Sequence, residues 1–388
     1  MPQMVSELSK ERQLILLCSR GVLNKEHTER INEILSGRLD WREILYQGVT
    51  HRTLNLMYYH LKNLGLTGKV EEEVLKIMKT QCKVYGLRNR TYFAEIKKIY
   101  GKLNENGIRA AILKGNFLSA NVYPSVETRT FNDIDFLIDL KDGDKIVKIL
   151  EDMGYVQGQY DEETGEILPS TRKEKMYHQL STGELKECLK KNDDPFVPLY
   201  QGDLNYTILW KGNFPYNVET SELLERAMKI EFEDSNIYVL DYEDFLIQLA
   251  CHLYKEAALL FWINDLRDLK IYKFADIAIF IEKFNTKIRW NKLIEFCQRT
   301  GCGKIVYYAF HYVNLMYGQV IPQEVMTRLE PEDKRYLDEY GVENKTPGVW
   351  KHDFFTRLFD TDRVLELTGE ASEAKKKFID AEKRILES

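Results

Sequence analysis

The spacing of apolar residues changes twice along this chain of 388 residues, and those changes limit the fold more than any other feature of the sequence. Residues up to about 105 carry apolar side chains at helical intervals almost throughout. The pattern then shifts to short apolar runs and alternating stretches that are typical of β-strands, and helical spacing returns at Asp241. The sequence therefore predicts an α+β protein with a mixed region of strands and helices at 107–240, flanked by helical regions at 1–106 and 241–388.

Individual elements follow from the same periodicity. In the two outer regions, apolar stripes and end signals predict helices at 41–64, 70–104, 264–283, 290–300, 304–317 and 372–387. In the mixed region, they predict helices at 116–123 and 144–153, and strands at 108–113, 131–140, 176–180, 196–200, 203–210 and 236–240. A polar stretch at 162–165 is typical of a hairpin turn.

Composition narrows the class of protein. The chain has 55 Lys and Arg against 61 Asp and Glu, a net charge of −6, so it lacks the basic excess with which proteins hold long nucleic acid. No apolar run is long enough to span a bilayer. The six cysteines are scattered through apolar segments, which indicates reduced thiols in a cytoplasmic protein. We therefore expect that the protein does not bind a membrane, and we do not favour a long nucleic acid as its partner.

Two aspartates in the alternating stretch 131–140 carry the strongest chemical signal. Asp133 and Asp135 lie two residues apart, so on a strand their carboxylates project from the same face. Like charges side by side disfavour joint ionisation, and a divalent cation relieves that repulsion. The pair therefore predicts a site for Mg²⁺ or Mn²⁺, shared with the phosphates of a nucleoside triphosphate (NTP). A solvated strand face is the alternative interpretation.

The segment Lys114-Gly115-Asn116 lies between a predicted strand and a predicted helix. A glycine there lets the backbone approach a phosphate, and the start of a helix offers free N–H groups to an anion. Lys114 adds a positive charge, so we assign all three residues to the nucleotide site. An ordinary turn that needs glycine for its dihedral angles is the alternative.

A third carboxylate would complete a two-metal arrangement, and Asp203 is our candidate. It opens a predicted apolar strand in the same mixed region. An aspartate at the start of a strand is otherwise often a turn residue. Should Asp203 face away from the pair, Glu219 or Glu222 would be considered in its place.

With these residues, the chain resembles nucleotidyltransferases of the DNA polymerase beta-like superfamily. More narrowly, it resembles a poorly characterised bacterial family whose pattern is an aliphatic strand running into Leu-Lys-Gly, a tyrosine in the next helix, and an arginine shortly before Asp-Ile-Asp. The matching residues here are Leu113-Lys114-Gly115, Tyr123, Arg129 and Asp133-Ile134-Asp135. The resemblance covers roughly residues 35–285.

The resemblance implies transfer of a nucleoside monophosphate (NMP) from an NTP to an acceptor hydroxyl, with release of pyrophosphate. It also implies that the core at 107–240 is a small mixed β-sheet of the nucleotidyltransferase type. In this core, Asp133, Asp135 and Asp203 would be the metal ligands and catalytic acids, and the resemblance adds Arg129 to the nucleotide site. Two positions depart from the pattern: Asn205 stands where members often have a histidine, and Asn116 stands where the superfamily has a serine.

Further cations come from the C-terminal helical region. Lys255, Arg267 and Lys273 could reach a triphosphate, and we assign Lys255 and Lys273 to the nucleotide site, with a solvated helix face as the alternative. His252 is more simply a core residue. The acceptor remains open, with a protein, a peptide or a small molecule favoured. A catalytically silent nucleotide-binding or scaffold protein that keeps the fold is the competing hypothesis.

Overall fold

The computed structural model describes residues 3–208, 218–232 and 235–367. The α-helices are α1 (Gln3–Ser6), α2 (Lys10–Leu17), α3 (Lys25–Ile34), α4 (Trp41–Thr50), α5 (Leu54–Asn63), α6 (Glu72–Glu105), α7 (Lys114–Asn121), α8 (Gly143–Asp152), α9 (Arg172–Thr182), α10 (Thr220–Glu225), α11 (Tyr242–Ala258), α12 (Leu260–Asn264), α13 (Ile271–Phe284), α14 (Trp290–Thr300), α15 (Gly303–Tyr317), α16 (Gln323–Leu329) and α17 (Phe354–Phe359). Short 3₁₀ helices lie at Thr67–Lys69, Leu140–Asp142, Arg335–Asp338 and Thr361–Glu366.

The strands are β1 (Ala110–Ile112), β2 (Ile134–Ile138), β3 (Val156–Asp161), β4 (Glu166–Pro169), β5 (Cys188–Lys191), β6 (Leu199–Asn205), β7 (Met228–Phe232), β8 (Ser235–Val239), β9 (Glu339–Tyr340) and β10 (Gly348–Val349). The chain divides into two compact units. Residues 81–248 form the sheet unit, and residues 3–80 together with 249–367 form the helical unit.

The sheet unit is built on a mixed sheet in the order β4-β3-β5-β6-β2-β1-β8-β7. Its β2–β6 and β1–β8 neighbours run parallel, and its other neighbours run antiparallel. All five residues of β2 are buried, so this strand is internal on both faces. A mixed sheet with helices confirms the predicted α+β class, and the described sheet of eight strands is larger than the small one expected.

One face of α6 covers part of this sheet. Its buried side chains recur at helical intervals: Tyr92, Phe93, Ile96, Ile99, Tyr100 and Leu103. Phe93 stacks on Phe131, and the Tyr100 ring lies 5.8 Å from that of Phe136 in β2. The Tyr100 hydroxyl donates to the carbonyl of Ala110 in β1, 2.8 Å away. Apolar burial and this hydrogen bond together hold the strands that carry the candidate site.

The helical unit has its own core. Its most apolar helix, α13, buries ten residues along its length, among them Phe274, Ile277, Phe280 and Ile281. A pair of short strands, β9 and β10, lies next to a cluster made of Leu260, Ile263, Tyr340 and Trp350. No helix in the described part of the chain is both long and apolar enough to cross a membrane.

All six cysteines are free thiols, and all are buried. Burial raises the pKa of the Cys188 thiol to about 12. Cys82 and Cys188 belong to the sheet unit, and Cys18, Cys251, Cys297 and Cys302 belong to the helical unit.

Several predicted elements differ from the observed ones. The stretch 176–180, predicted as a strand, lies within α9, where a capping box of Thr171 and Glu174 starts a helix. The helix predicted at 41–64 is two helices, because the chain turns at Arg52 with a φ of 55°. The helix predicted at 264–283 starts only at Ile271. The predicted helix at 372–387 lies outside the described residues.

Candidate active site

Three predicted acids come together where β2 and β6 run side by side. Asp135 and Asp203 are direct register partners in this parallel pair. Asp133 lies just before β2, and its carboxylate is close enough to act electrostatically on both Asp203 and Lys114. The strand predicted at 203–210 is instead observed at Leu199–Asn205, so Asp203 lies near the end of β6 and not at the start of a strand. Residues 209 and 210 of the predicted strand lie outside the described residues. We call Asp133, Asp135 and Asp203 the acid face.

Lys114 is the cation in direct contact with this face. Its Nζ lies 2.7 Å from Oδ1 of Asp135. The lysine side chain is 19% exposed and the Asp135 side chain 4% exposed, so the contact is largely shielded from water. Burial by itself lowers the pKa of Lys114, but the carboxylates of Asp135 and Asp133 outweigh it and raise that pKa. Lys114 therefore carries its charge at neutral pH.

The backbone places this lysine in an uncommon conformation. Lys114 has a φ of 46°, in the left-handed region that glycine adopts most readily. It is the first residue of α7, directly after β1, and the N–H of Leu113 donates to the carbonyl of Asp135 at 2.9 Å. A strained residue at a strand-to-helix junction is typical of functional positions.

Gly115 is needed for close packing beneath this turn. A Cβ atom at position 115 would lie 2.7 Å from Cβ of Phe131, which is shorter than side-chain contacts allow. Phe131 is itself buried and packs against Phe93 and Tyr92, so a shift of its side chain would disturb the core. A side chain at position 115 would therefore meet the protein core.

Asn116 joins the helix start to the acid-bearing segment. Its Nδ2 donates to the carbonyl of Asp133 at 3.0 Å, and its Oδ1 accepts from the N–H of Asp135 at 3.4 Å. Asn116 is 1% exposed. Its side chain therefore fixes the position of both aspartates relative to α7, which is a positioning role in the absence of any ligand.

Arg129 lies behind the same turn. It is 5% exposed, and its guanidinium donates to the carbonyl of Thr130. Its Nη1 is 3.6 Å from the point where a Cβ at Gly115 would stand. Asn89 of α6 is fully buried and donates to the carbonyl of Arg129 at 2.9 Å and to Ser119 Oγ at 3.1 Å. Asn89 thus ties the loop of Arg129 to α7, and nothing in its helical sequence context indicated that role.

The acid face has a surplus of negative charge. Burial, together with the carboxylates of Asp135, Asp133 and Glu184, raises the pKa of Asp203 well above its usual value. Glu184 also acts on Lys114. Four carboxylates therefore share the neighbourhood of one ammonium group.

Glu184 is the residue that the sequence did not reveal. It forms an antiparallel bridge with Asn205, two residues beyond Asp203 in β6. Opposed residues of an antiparallel pair project to the same face, so Glu184 lies on the side of the acid face. It follows Gly183, which ends α9 with a φ of 89°. Because 176–180 was predicted as a strand, no sequence pattern placed residue 184 at this edge of the sheet.

Asn205 and Gln201 complete the surroundings of Asp203. Asn205 is 6% exposed, and its Nδ2 donates to the carbonyl of Phe136 at 3.2 Å, so it links β6 to β2. Gln201 donates to Oδ1 of Asp203 at 3.1 Å. The asparagine that replaces the histidine of the resembled pattern therefore has a structural partner.

Carboxylate oxygens are the donors that Mg²⁺ and Mn²⁺ prefer. Register brings Asp135 and Asp203 side by side on adjacent strands, and Asp133 lies near them. Among residues 3–208, 218–232 and 235–367, no three His, Cys, Asp or Glu side chains are arranged so that they could hold one ion. The Lys114 ammonium stands against Asp135 instead. The donor set fits a hard cation by chemistry, with the lysine in contact with one of its members.

The two predicted cations of the C-terminal region belong to the helical unit. Lys255 lies in α11 with its Nζ 5.3 Å from the centre of the Trp262 ring. Lys273 in α13 is 5% exposed and is paired with the buried carboxylate of Glu256. Arg267 and His252 also lie near this carboxylate, at 3.7 and 3.8 Å from its Oε1. Within its own unit, Lys273 has an anionic partner.

One comparison with known families bears on this site. A family model described as "Uncharacterised nucleotidyltransferase" matches residues 37–318, which include Lys114, the acid face and Glu184. No curated protein matches the chain. The family match covers more than half of the 388 residues, so the chain belongs to this uncharacterised nucleotidyltransferase family.

Proposed function

We propose that this member of the nucleotidyltransferase family is an enzyme that moves an NMP from an NTP to an acceptor hydroxyl in a metal-dependent reaction. The observation that carries the proposal is the register of Asp135 with Asp203 on parallel strands, with Asp133 nearby and Lys114 in contact with Asp135. The resemblance of the chain to the bacterial family with the Leu-Lys-Gly and Asp-Ile-Asp motifs further supports the proposal.

In the proposed reaction, the acceptor oxygen forms a bond to the α-phosphorus, and the bond from that phosphorus to the oxygen leading to the β-phosphate breaks. The hydroxyl proton is released and pyrophosphate leaves. Mg²⁺ or Mn²⁺, when bound, would lower the pKa of the attacking hydroxyl and neutralise charge on the leaving group. Asp133, Asp135 and Asp203 are the residues proposed to hold the ion.

The start of α7 is proposed to receive the phosphates. Free N–H groups at a helix N-terminus favour an anion, and Lys114 adds a full positive charge at that point. Asn116 holds the helix start to the segment of Asp133, so phosphate and metal sites would keep a fixed separation. Arg129, Lys255 and Lys273 remain proposed nucleotide contacts.

We propose a protein, a peptide or a small molecule as the acceptor. The net charge of −6 does not favour a long nucleic acid. The sequence and structure leave the base of the NTP open, so the first experiment has to survey all four.

A catalytically silent nucleotide-binding protein is the second candidate, and one observation favours it. The ion pair of Lys114 with Asp135 gives that carboxylate a partner within the chain, so the site is partly neutralised without any ion. An enzyme and a silent protein would both bind nucleotide, and only the enzyme would release pyrophosphate.

The test uses the four α-³²P-labelled NTPs, each with Mg²⁺ or Mn²⁺, incubated with the purified protein and a cell extract. We expect one nucleotide to label a macromolecule or metabolite while pyrophosphate accumulates. Asp133→Asn, Asp135→Asn and Asp203→Asn should each reduce labelling to background.

Asp193→Asn serves as the matched control, because Asp193 is exposed and lies in the same unit away from the acid face. It should label like the unmodified protein. Binding of an NTP without pyrophosphate release under all conditions would favour the silent protein, and labelling that survives all three acid-face variants would reject the proposed site.

A further inference from the structure

The contact between Lys114 and Asp135 has a consequence for how ligands enter the acid face. Asp135 is 3% exposed, and the lysine ammonium lies against one of its two carboxylate oxygens. A divalent cation at Asp135 would stand close to that ammonium, and two like charges at such a distance in a shielded place repel strongly. The ion and the lysine therefore compete for the same carboxylate.

The lysine has the freedom to leave. It makes one contact with Asp135 from a flexible four-carbon stem, rather than the paired contacts of an arginine. Its backbone is fixed by packing at Gly115 and by the bonds of Asn116, so the side chain can swing without moving the helix. It also stands at the first residue of α7, where an anion would be received.

We infer that Lys114 is a built-in counter-ion which holds Asp135 in the ligand-free protein and passes to the phosphates when metal and nucleotide bind together. This inference rests on the proposed function and adds an order of events to it. Metal alone must displace the lysine from Asp135 with no new partner for it. Metal with a triphosphate supplies that partner, so the two ligands should strengthen each other's binding.

Surplus charge on the acid face supports this exchange. Asp133 and Glu184 also act electrostatically on Lys114, so the lysine stays in the neighbourhood after it releases Asp135. The carboxylates that act on Lys114, those of Asp135, Asp133 and Glu184, outnumber its one ammonium group, which leaves net negative charge for an incoming cation. The site is thus neutralised in part and remains attractive to a metal.

The test measures Mn²⁺ binding by the electron paramagnetic resonance signal of free Mn²⁺. It is run on the full chain, alone and with the α,β-methylene analogue of each of the four NTPs in turn. In Lys114→Met, we expect Mn²⁺ alone to bind about 10-fold or more tightly than in the unmodified protein. We expect the analogue with Mn²⁺ to bind about 10- to 100-fold more weakly. These opposite signs are the signature of the exchange.

The matched control is Lys141→Met. Lys141 pairs with Asp139 at the other end of β2, at 2.6 Å, but it is 72% exposed and away from the acid face. It should change neither affinity. Lys114→Arg, which keeps the charge, should leave Mn²⁺ alone as weakly bound as in the unmodified protein.

Lys114→Gly is the second variant, since glycine adopts a φ of 46° without strain and preserves the fold should methionine not do so. It should reproduce the gain in Mn²⁺ affinity. If Lys114→Met and Lys114→Gly both bind Mn²⁺ no more tightly than the unmodified protein, the inference is overturned, even if the unmodified protein transfers NMP. Conversely, a gain in Mn²⁺ affinity without any nucleotide binding by the unmodified protein would count against the proposed function and the second half of the exchange.

Discussion

Each unit of the molecule contains a buried ion pair, and the two pairs are built differently. In the helical unit, Arg363 donates to Asp268 through Nε at 2.9 Å and through Nη2 at 2.6 Å. Both side chains are at most 4% exposed. In the sheet unit, Lys114 makes a single contact with Asp135, and the carboxylates of Asp133 and Glu184 also act on it.

The difference separates a pair that stabilises a fold from one that prepares a site. The arginine pair is bidentate and balanced, so its charges have no need of a ligand. The lysine pair is monodentate, and the neighbouring carboxylates are not fully neutralised by the one ammonium group. A carboxylate that lacks full compensation inside a protein is one of the features that mark functional sites.

The largest expected effect is on the balanced pair. Arg363→Ala leaves the carboxylate of Asp268 buried without its partner, and we expect the free energy of unfolding to fall by about 3–5 kcal/mol. Urea denaturation followed by circular dichroism measures it. Arg335→Ala is the control, because Arg335 pairs with Asp333 at 87% exposure and its loss should change little. Similar losses in the two variants would remove the distinction drawn between buried and exposed pairs.

The lysine pair should cost less to break, and a metal should compensate for it. Lys114→Met removes one charge-assisted hydrogen bond, so we expect a loss of about 1.5–3 kcal/mol in metal-free buffer. Millimolar Mn²⁺ should restore much of this stability, because the ion replaces the lysine charge. The same addition should do nothing for Arg363→Ala. Thermal melts with and without Mn²⁺ compare the two, and no recovery in Lys114→Met would speak against an exchangeable counter-ion.

A smaller effect is expected from the packing that carries Lys114. Gly115→Ala places a Cβ 2.7 Å from that of Phe131, and relaxation of the core should cost about 1–2 kcal/mol. Gly101→Ala is the control within the same unit. Gly101 lies inside α6 with no atom within 4 Å of an added Cβ, so the change should stabilise the helix by roughly 0.5–1 kcal/mol. Denaturation midpoints give both values, and a neutral Gly115→Ala would show that the turn is loosely packed.

The smallest effect is a gain in stability from Asp203→Asn. The pKa of Asp203 is raised in the folded chain, so folding favours its protonated form. Its contribution to stability is therefore present below the unfolded pKa and is lost as the pH rises through the folded one. The advantage of the asparagine variant in metal-free buffer should accordingly grow from acid to neutral pH. Asp193→Asn is run beside it as the exposed control for the substitution itself. A pH-independent difference for Asp203→Asn would contradict the charge surplus.

Local patterns predicted much of the fold, and their failures have a common cause. The strands around 108–113 and 236–240 and the long helix at 70–104 are confirmed within a few residues, because each has a clear period and end signals. The stretch 176–180 failed because α9 has no buried residue at all, so its spacing carries no record of a core. Periodicity reports burial, and an element without burial has no reliable period.

The same limit applies to the site. Asp135 and Asp203 are register partners on neighbouring strands, but this register depends on β6, whose bounds the sequence misplaced. Glu184 reaches this edge only through a bridge between distant segments. The packing of Gly115 on Phe131 is likewise a contact across the fold. Assignment of these residues to metal and nucleotide stays a prediction.

Because all six cysteines are buried, their reaction with a thiol reagent would report when the folded structure opens. A covered thiol reacts with a disulfide reagent only when the structure around it opens, and the raised pKa of Cys188 slows it further. Cys82 and Cys188 lie in the sheet unit, and the other four cysteines lie in the helical unit. In a variant whose cysteines in one unit are all replaced by alanine, the rate of reaction with the reagent would measure the opening of the other unit alone. A single cysteine introduced at an exposed position would then take a fluorophore selectively from the native protein, without removal of the buried six.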